Sequence, residues 1–229
     1  MSSKGVDNVV GHRSRVKEKF MRGSIRTLAD YEILEMLLFK VFSRRDTKPI
    51  SKELLNRFGS LEAVIAADSS ELLAVDGVGE SVVSYFKLLL DLFSRLLLPL
   101  DHNKVHILNN WSAVISYCQL TMGFKKREHF RLLLLNKKNI LIGDEIFDAG
   151  TVDRVAIYPR EIVRLSILYS ASSVILVHNH PSNDIAPSPA DIDITRQIAM
   201  ALKAVNVGLH DHLVVGQNQH FSFKNHNIL

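Results

Sequence analysis

Apolar residues recur at helical spacing through positions 1–100, then give way to alternating strand-like and helix-like runs. Leu34, Leu37, Leu38 and Val41 follow Asp30, a residue type that caps helices, and predict one amphipathic helix. Ile50, Leu54, Leu55 and Phe58 predict a second, stopped at Gly59, and Ser60 has the chemistry to cap a third. Gly77-Val78-Gly79 lies between two short helical patterns and predicts a tight helix–turn–helix hairpin. The start of its second helix would turn backbone N–H groups toward an anion. The apolar stretch from Val82 to Leu98 is expected to close this bundle.

Pro99 and the polar run Asp101 to Lys104 mark a boundary, so 1–100 is read as a small all-α domain and 101–229 as a second domain. Trp111 to Met122 reads as a helix, and His129 to Leu135 and Ile140 to Phe147 as strands paired across Asn136 to Asn139. Thr151 to Ile157 is a further strand candidate, and Pro159 opens a helix. Ser173 to His178 is almost wholly apolar and short, which fits a central strand buried on both faces. A helix from Ser188 to about Val205 and a hairpin of Gly208 to Gly216 with Gln219 to Phe223 complete an α/β domain with a mixed sheet.

Composition narrows the classes. The single cysteine, Cys118, excludes an intramolecular disulfide and any multi-cysteine zinc or iron–sulfur site, and suits a reducing, cytoplasmic compartment. The leucine-rich run from Leu88 to Leu100 is broken by Asp91 and Arg95 and falls short of the roughly 20 apolar residues a membrane span needs. The N-terminus lacks an apolar core of signal-peptide type. A soluble cytoplasmic protein with no membrane partner is the expectation. Net charge is only +4, but residues 1–29 hold seven Lys or Arg against two acids, and residues 122–139 hold six against one. Such runs meet nucleic-acid phosphates in some proteins and are plain solvated surface in others.

The densest chemistry lies just past the buried strand, in His178-Asn-His180-Pro181 and Ser188-Pro-Ala-Asp191. Residues two apart on a strand point the same way, so two neutral imidazoles can face one ion. A carboxylate completes a three-ligand zinc site with an open position. With Ser188 as N-cap and Pro189 at N1, Asp191 falls at N3, aimed back at the loop the histidines leave from. Each piece also has a plain reading: paired histidines as polar strand surface, and Ser188 to Asp191 as an ordinary cap. Their adjacency, at the strand end where open α/β sheets place ligands, is what points to a metal.

His-x-His-x7-Ser-x2-Asp resembles the MPN/JAMM metalloprotease motif, and the surrounding residues resemble its RadC branch. Gly11-His-Arg, Asp30 to Glu35, Arg44-Arg-Asp46, Phe58-Gly-Ser60 and Gly77-Val-Gly79 are similar to that family's helical N-terminal part. Arg127-Glu128-His-Phe130, Pro159-Arg-Glu161 and Asp211-His212 are similar to its C-terminal part. One departure is Asn183, where the family usually has glycine; asparagine tolerates a left-handed backbone, so the loop is expected to persist. The resemblance implies a cytidine-deaminase-like JAB/MPN core binding one zinc through His178, His180 and Asp191. It implies Glu128 as general base, with Glu145 as rival by proximity, and Ser188 steadying the tetrahedral intermediate. The hairpin at Gly77 and Gly79 also resembles a helix-hairpin-helix, which implies either a contact to the DNA backbone or, since Asp76 and Glu80 would repel phosphate, a purely structural element.

The function expected is zinc-dependent hydrolysis of an amide, peptide or isopeptide bond in a peptide or protein substrate. The alternatives are a DNA-binding accessory protein in repair or recombination with a secondary metal site, and a scaffold in which zinc is structural. A zinc nucleoside deaminase is disfavoured because no Cys-x-x-Cys is present. His210-Asp-His212 is a second His-x-His, read as hydrogen-bonding strand residues beside the first site.

Overall fold

The computed structural model describes residues 3–23, 26–98, 110–148 and 157–229. The chain divides into two compact units, Met1–Asp91 and Leu92–Leu229, with the division inside one helix.

The first unit is helical: α1 (Ser3–Arg22), α2 (Asp30–Val41), α3 (Lys48–Phe58), α4 (Leu61–Ala66), α5 (Ser69–Leu73) and the start of α6 (Glu80–Leu97). Its core joins Leu34 and Leu38 of α2 to Leu54, Val64, Leu72, Val82 and Phe86. Gly59 ends α3 at φ 89°, a left-handed conformation in which its N–H reaches Leu55 O at 2.8 Å. Ser60 Oγ accepts the Ala63 N–H at 3.1 Å, so the cap expected there forms. The α2 cap differs from expectation. Its N-cap is Ala29, which has no side-chain acceptor, and only the return half of a capping box forms, the Glu32 carboxylate taking the Ala29 N–H at 2.9 Å. Asp30 is the first helical residue instead.

Polar contacts dock α1. Arg13 donates to the Phe42 and Ser43 carbonyls at 2.7 and 2.8 Å, and Lys19 pairs with Glu32 at 2.6 Å. His12 Nε2 lies 3.0 Å from the fully buried carboxylate of Glu35. Part of the N-terminal basic run is thus committed to internal partners. The apolar stretch of α6 also serves two ends. Val82, Val83 and Phe86 close the first unit, while Leu88, Leu92 and Leu96 are exposed and Leu98 packs in the second unit's core.

The second unit is a five-stranded mixed sheet, order β2-β1-β3-β4-β5. Its elements are α7 (Trp111–Met122), β1 (His129–Leu135), β2 (Leu141–Asp148), α8 (Pro159–Leu168), β3 (Ser173–Asn179), α9 (Pro189–Ala204), β4 (Gly208–Val215) and β5 (His220–Ser222). β1 is antiparallel to both β2 and β3, β3 and β4 are parallel, and β4 and β5 are antiparallel. β3 is central, and Val174 to Val177 are fully buried because both faces are covered. Leu132, Leu134, Val174 and Leu176 pack against Ile162 and Leu165 of α8 and Ile198 and Leu202 of α9. Leu133, Leu135, Ile175 and Val177 pack against Val114, Cys118 and Met122 of α7. The strand expected over Thr151 to Ile157 lies outside the described residues apart from Ile157, which is not in a strand.

The basic run at 122–139 is not one patch. Lys137 and Lys138 occupy the β1–β2 turn, one seven-residue strand, or about 23 Å, away from Lys125 to Arg127. Arg131 points inward, 3% exposed, with its guanidinium 4.8 Å from the Tyr117 ring and its Nε 3.5 Å from Asp144. Cys118 lies in the same layer, and burial, opposed by the Arg131 charge, pushes its thiol up to about 12. Native protein is therefore expected to resist alkylation at pH 8 and to react fully once unfolded. Below the ordinary thiol pKa both states keep the proton and nothing is lost. Above it only the unfolded chain ionises, so urea midpoints should fall as pH rises from about 8.5. A thiol that labels at pH 8 without unfolding would contradict this burial.

Candidate metal centre

The site forms where three local structures meet. His178 is the penultimate residue of β3, paired with Phe130 on one side and Val214 on the other. His180 lies one residue beyond the strand, but its N–H still bonds Val215 O at 3.2 Å and so continues the ladder. The two imidazoles therefore share a side, with Nε2 atoms 3.0 Å apart. Ser188 caps α9: its Oγ accepts the Asp191 N–H at 3.2 Å. The Asp191 carboxylate returns the contact, taking the Ser188 N–H at 2.7 Å and the Ser188 hydroxyl at 2.6 Å. That reciprocal cap holds Asp191 with one oxygen 3.5 Å from His178 Nε2 and the other 3.5 Å from His180 Nε2. Among the described residues no other group of three such side chains comes together in this way.

Hydrogen bonds orient the donors. His180 Nδ1 lies 2.6 Å from the Asp184 carbonyl, which only accepts, so Nδ1 carries the proton and Nε2 presents a lone pair. His178 Nδ1 lies 2.8 Å from His212 Nε2. Two imidazole lone pairs and a carboxylate offer only acceptors to one another, so their convergence calls for a proton or a cation between them. A tetrahedral zinc with bonds of about 2.0–2.1 Å spaces its ligands about 3.3 Å apart, which the 3.0 and 3.5 Å separations match. The donor set fits zinc.

Without a metal, protons at the Nε2 atoms stand where a cation would. Burial alone would raise the Asp191 carboxyl, but hydrogen bonds from the His178 and His180 rings so protonated, the His178 charge and the Ser188 hydroxyl hold it well below the usual carboxylate range. Hydrogen bonding to Asp191 raises His180 against its partial burial, helped by the Asp184 carbonyl and the Asp191 and Glu128 charges. Burial drives His212 well below its ordinary value, so it is neutral.

Glu128 reaches the same place through strand register. β1 and β3 pair Phe130 with His178, and Glu128 lies two residues before Phe130 as His180 lies two after His178, so both leave the sheet at the same end. Glu128, His178, His180, Ser188 and Asp191 line one cavity of about 510 Å³, with apolar walls from Phe130, Ile157 and Ile194. Glu145 does not line it. It faces Leu132 across the β1–β2 pair and accepts the Tyr169 hydroxyl.

Asn179, between the two histidines, is a residue that sequence reasoning passes over. Its buried amide accepts the His129 N–H at 2.7 Å and donates to the Arg127 and Lys125 carbonyls at 3.0 and 3.3 Å. It thereby grips the backbone on both sides of Glu128. The signal was available: a polar residue on the inward face of an apolar strand needs backbone partners. Asn183 sits at φ 62°, the left-handed conformation expected where the family has glycine, and its Oδ1 takes the Gln217 N–H at 2.8 Å.

The second His-x-His builds no metal group among the described residues. His210 lies edge-on to Trp111, Asp211 accepts from His212 N, Lys224 N and Ser222 Oγ, and only His212 turns toward the site. In the helical unit Gly77 adopts φ 82°, a left-handed backbone that favours glycine, and a Cβ there would only displace the tip of the Arg45 side chain, 2.5 Å away. A Cβ at Gly79 would meet nothing within 4 Å. Arg45 Nη1 donates to Gly77 O at 3.3 Å and Arg57 to Ala74 O at 3.1 Å, which puts positive charge on both sides of the turn.

Among the described residues no helix is long and apolar enough to cross a membrane. A family model for the RadC-like JAB domain matches residues 108–228. The matched span holds the whole five-stranded mixed sheet, α7, α8, α9 and each residue around the His178–His180–Asp191 cluster, and with more than half of the 229 residues covered the chain belongs to the RadC-like JAB domain family.

Proposed function

We propose that this chain is a zinc-dependent hydrolase that cleaves amide bonds, peptide or isopeptide, with Glu128 as the general base. The observation that carries this reading is the convergence of His178 Nε2, His180 Nε2 and Asp191, 3.0 to 3.5 Å apart, on the wall of a cavity that Glu128 and Ser188 also line. JAB domains include metalloproteases, so the family supports the class without settling the activity.

His178, His180 and Asp191 would hold the ion on the wall of the cavity. Zinc bound there supplies Lewis acidity, lowering the pKa of a water toward about 7 and polarising a carbonyl. The Glu128 carboxylate, beside His180, accepts the proton of the attacking water and returns it to the departing amine. The Ser188 hydroxyl now donates to Asp191. Turning that O–H into the cavity gives a developing oxyanion a donor, while the Ser188 N–H keeps Asp191 in place. Phe130, Ile157 and Ile194 limit the water around these charges. The test is a panel of peptides and lysine-isopeptide conjugates incubated with zinc-loaded protein. Cleavage that a chelator stops and zinc restores is the expected result. Zinc-replete protein that cleaves neither class, or whose cleavage survives chelation, overturns the proposal.

A further inference from the structure

We infer that His212 and Thr195 are positioning residues that set the tautomer of His178 and tie it to Asp191 through one directional chain of hydrogen bonds. The inference rests on the zinc reading of the site and concerns residues outside the ligand set.

The chain runs from His178 Nδ1 to His212 Nε2 at 2.8 Å, from His212 Nδ1 to Thr195 Oγ1 at 2.6 Å, and from the Thr195 hydroxyl to the Asp191 carbonyl. Its polarity follows from the last member. A carbonyl only accepts, so the Thr195 hydroxyl uses its single proton there and its oxygen must accept from His212. His212 therefore carries its proton on Nδ1. The ring is fully buried, 5.8 Å from the Phe130 ring and 4.6 Å from that of Phe223, and takes no second proton in such surroundings. Its Nε2 is then an acceptor and His178 Nδ1 must donate. In the neutral ring that tautomer leaves the Nε2 of His178 as the lone pair, directed at His180 and Asp191, the form a metal ligand needs.

The reverse polarity is chemically possible and has the opposite consequence. If the Thr195 hydroxyl turned to His212 Nδ1, every proton would shift one place and His178 Nε2 would carry hydrogen toward the ion. The Asp191 carbonyl selects between the two, and Asp191 is itself a candidate ligand, so a helix start and a strand end are coupled through two side chains. The backbone of His212 is fixed independently, its N–H bonded to Asp211 Oδ1 at 2.7 Å, while Asp211 Oδ2 takes the Ser222 hydroxyl at 2.6 Å. Partners of this kind orient a ligand histidine as a carboxylate or carbonyl commonly does, but a neutral imidazole adds no negative charge to the centre.

The experiment uses the full chain. Long-range ¹H–¹⁵N spectra of zinc-free protein are expected to show both His178 and His212 protonated at Nδ1. Zinc affinity, measured by competition with a chromophoric chelator, is expected to fall about 10- to 100-fold in Thr195→Val and to stay within about threefold of wild type in Thr195→Ser. Circular dichroism confirms that each variant is folded. A wild-type His212 protonated at Nε2, or a folded Thr195→Val protein binding zinc as wild type does, overturns the inference while leaving the zinc site intact. Wild-type protein that binds no zinc overturns the metal reading itself.

Discussion

Glu128→Gln is expected to reduce turnover by about 10²- to 10⁴-fold while zinc content stays at the wild-type level. The amide matches the carboxylate in shape and still accepts a hydrogen bond, but it cannot take a proton from water. The loss is therefore confined to proton transfer, about 2.7–5.4 kcal/mol at 1.36 kcal/mol per tenfold. Glu128 is not one of the three residues that converge on the ion site, so the metal should remain. Glu145→Gln is the control. Its carboxylate sits against Leu132 on the β1–β2 pair and is held by Tyr169, outside the cavity, so kcat/KM and zinc content should both be unchanged. The measurement is kcat/KM beside elemental zinc analysis for the three proteins, on whichever substrate the panel yields. Undiminished turnover in Glu128→Gln would remove Glu128 from the chemistry, and a loss in Glu145→Gln would move the base to the sheet edge.

Much of this architecture is legible along the chain because it is local. The buried run of β3, the Ser188 cap with Asp191 three residues on, and the α7 and β1 limits each depend on neighbours within a few residues. The convergence of His178, His180 and Asp191 was legible for the same reason: one strand end and one helix cap, joined by a short loop, bring the three together. What stayed hidden depends on partners far away in sequence. α1 is polar overall, and its docking draws on Arg13, Lys19 and His12 meeting groups 13 to 30 residues further along. Asn179 meets backbone some 50 residues earlier, and His212 meets His178 and Thr195, 34 and 17 residues earlier. A polar side chain in such a place looks, in one dimension, like a solvated one.

Arg131 is the clearest such case and yields the largest expected change in stability. In the sequence it belongs to a basic run; in the fold it is 3% exposed between β2 and α7. Asp144 neutralises it at 3.5 Å, beyond a normal hydrogen bond, and Arg131 Nε and Nη1 are buried without an acceptor. Asp144 in turn holds the Tyr117 hydroxyl. Asp144→Ala leaves a guanidinium and a phenol unpaired inside the α7 layer and is expected to cost about 3–5 kcal/mol. Replacing the whole set by Arg131→Met, Asp144→Leu and Tyr117→Phe removes the charges together. Because the native pair offsets its desolvation poorly, this triple variant is expected to equal wild type or exceed it by about 1–4 kcal/mol. Trp111, the single tryptophan, packs against the same core, so its fluorescence in urea reports the transition directly. A shift below about 1 kcal/mol in Asp144→Ala would show that the guanidinium finds water in solution and that this layer opens more readily than its burial implies.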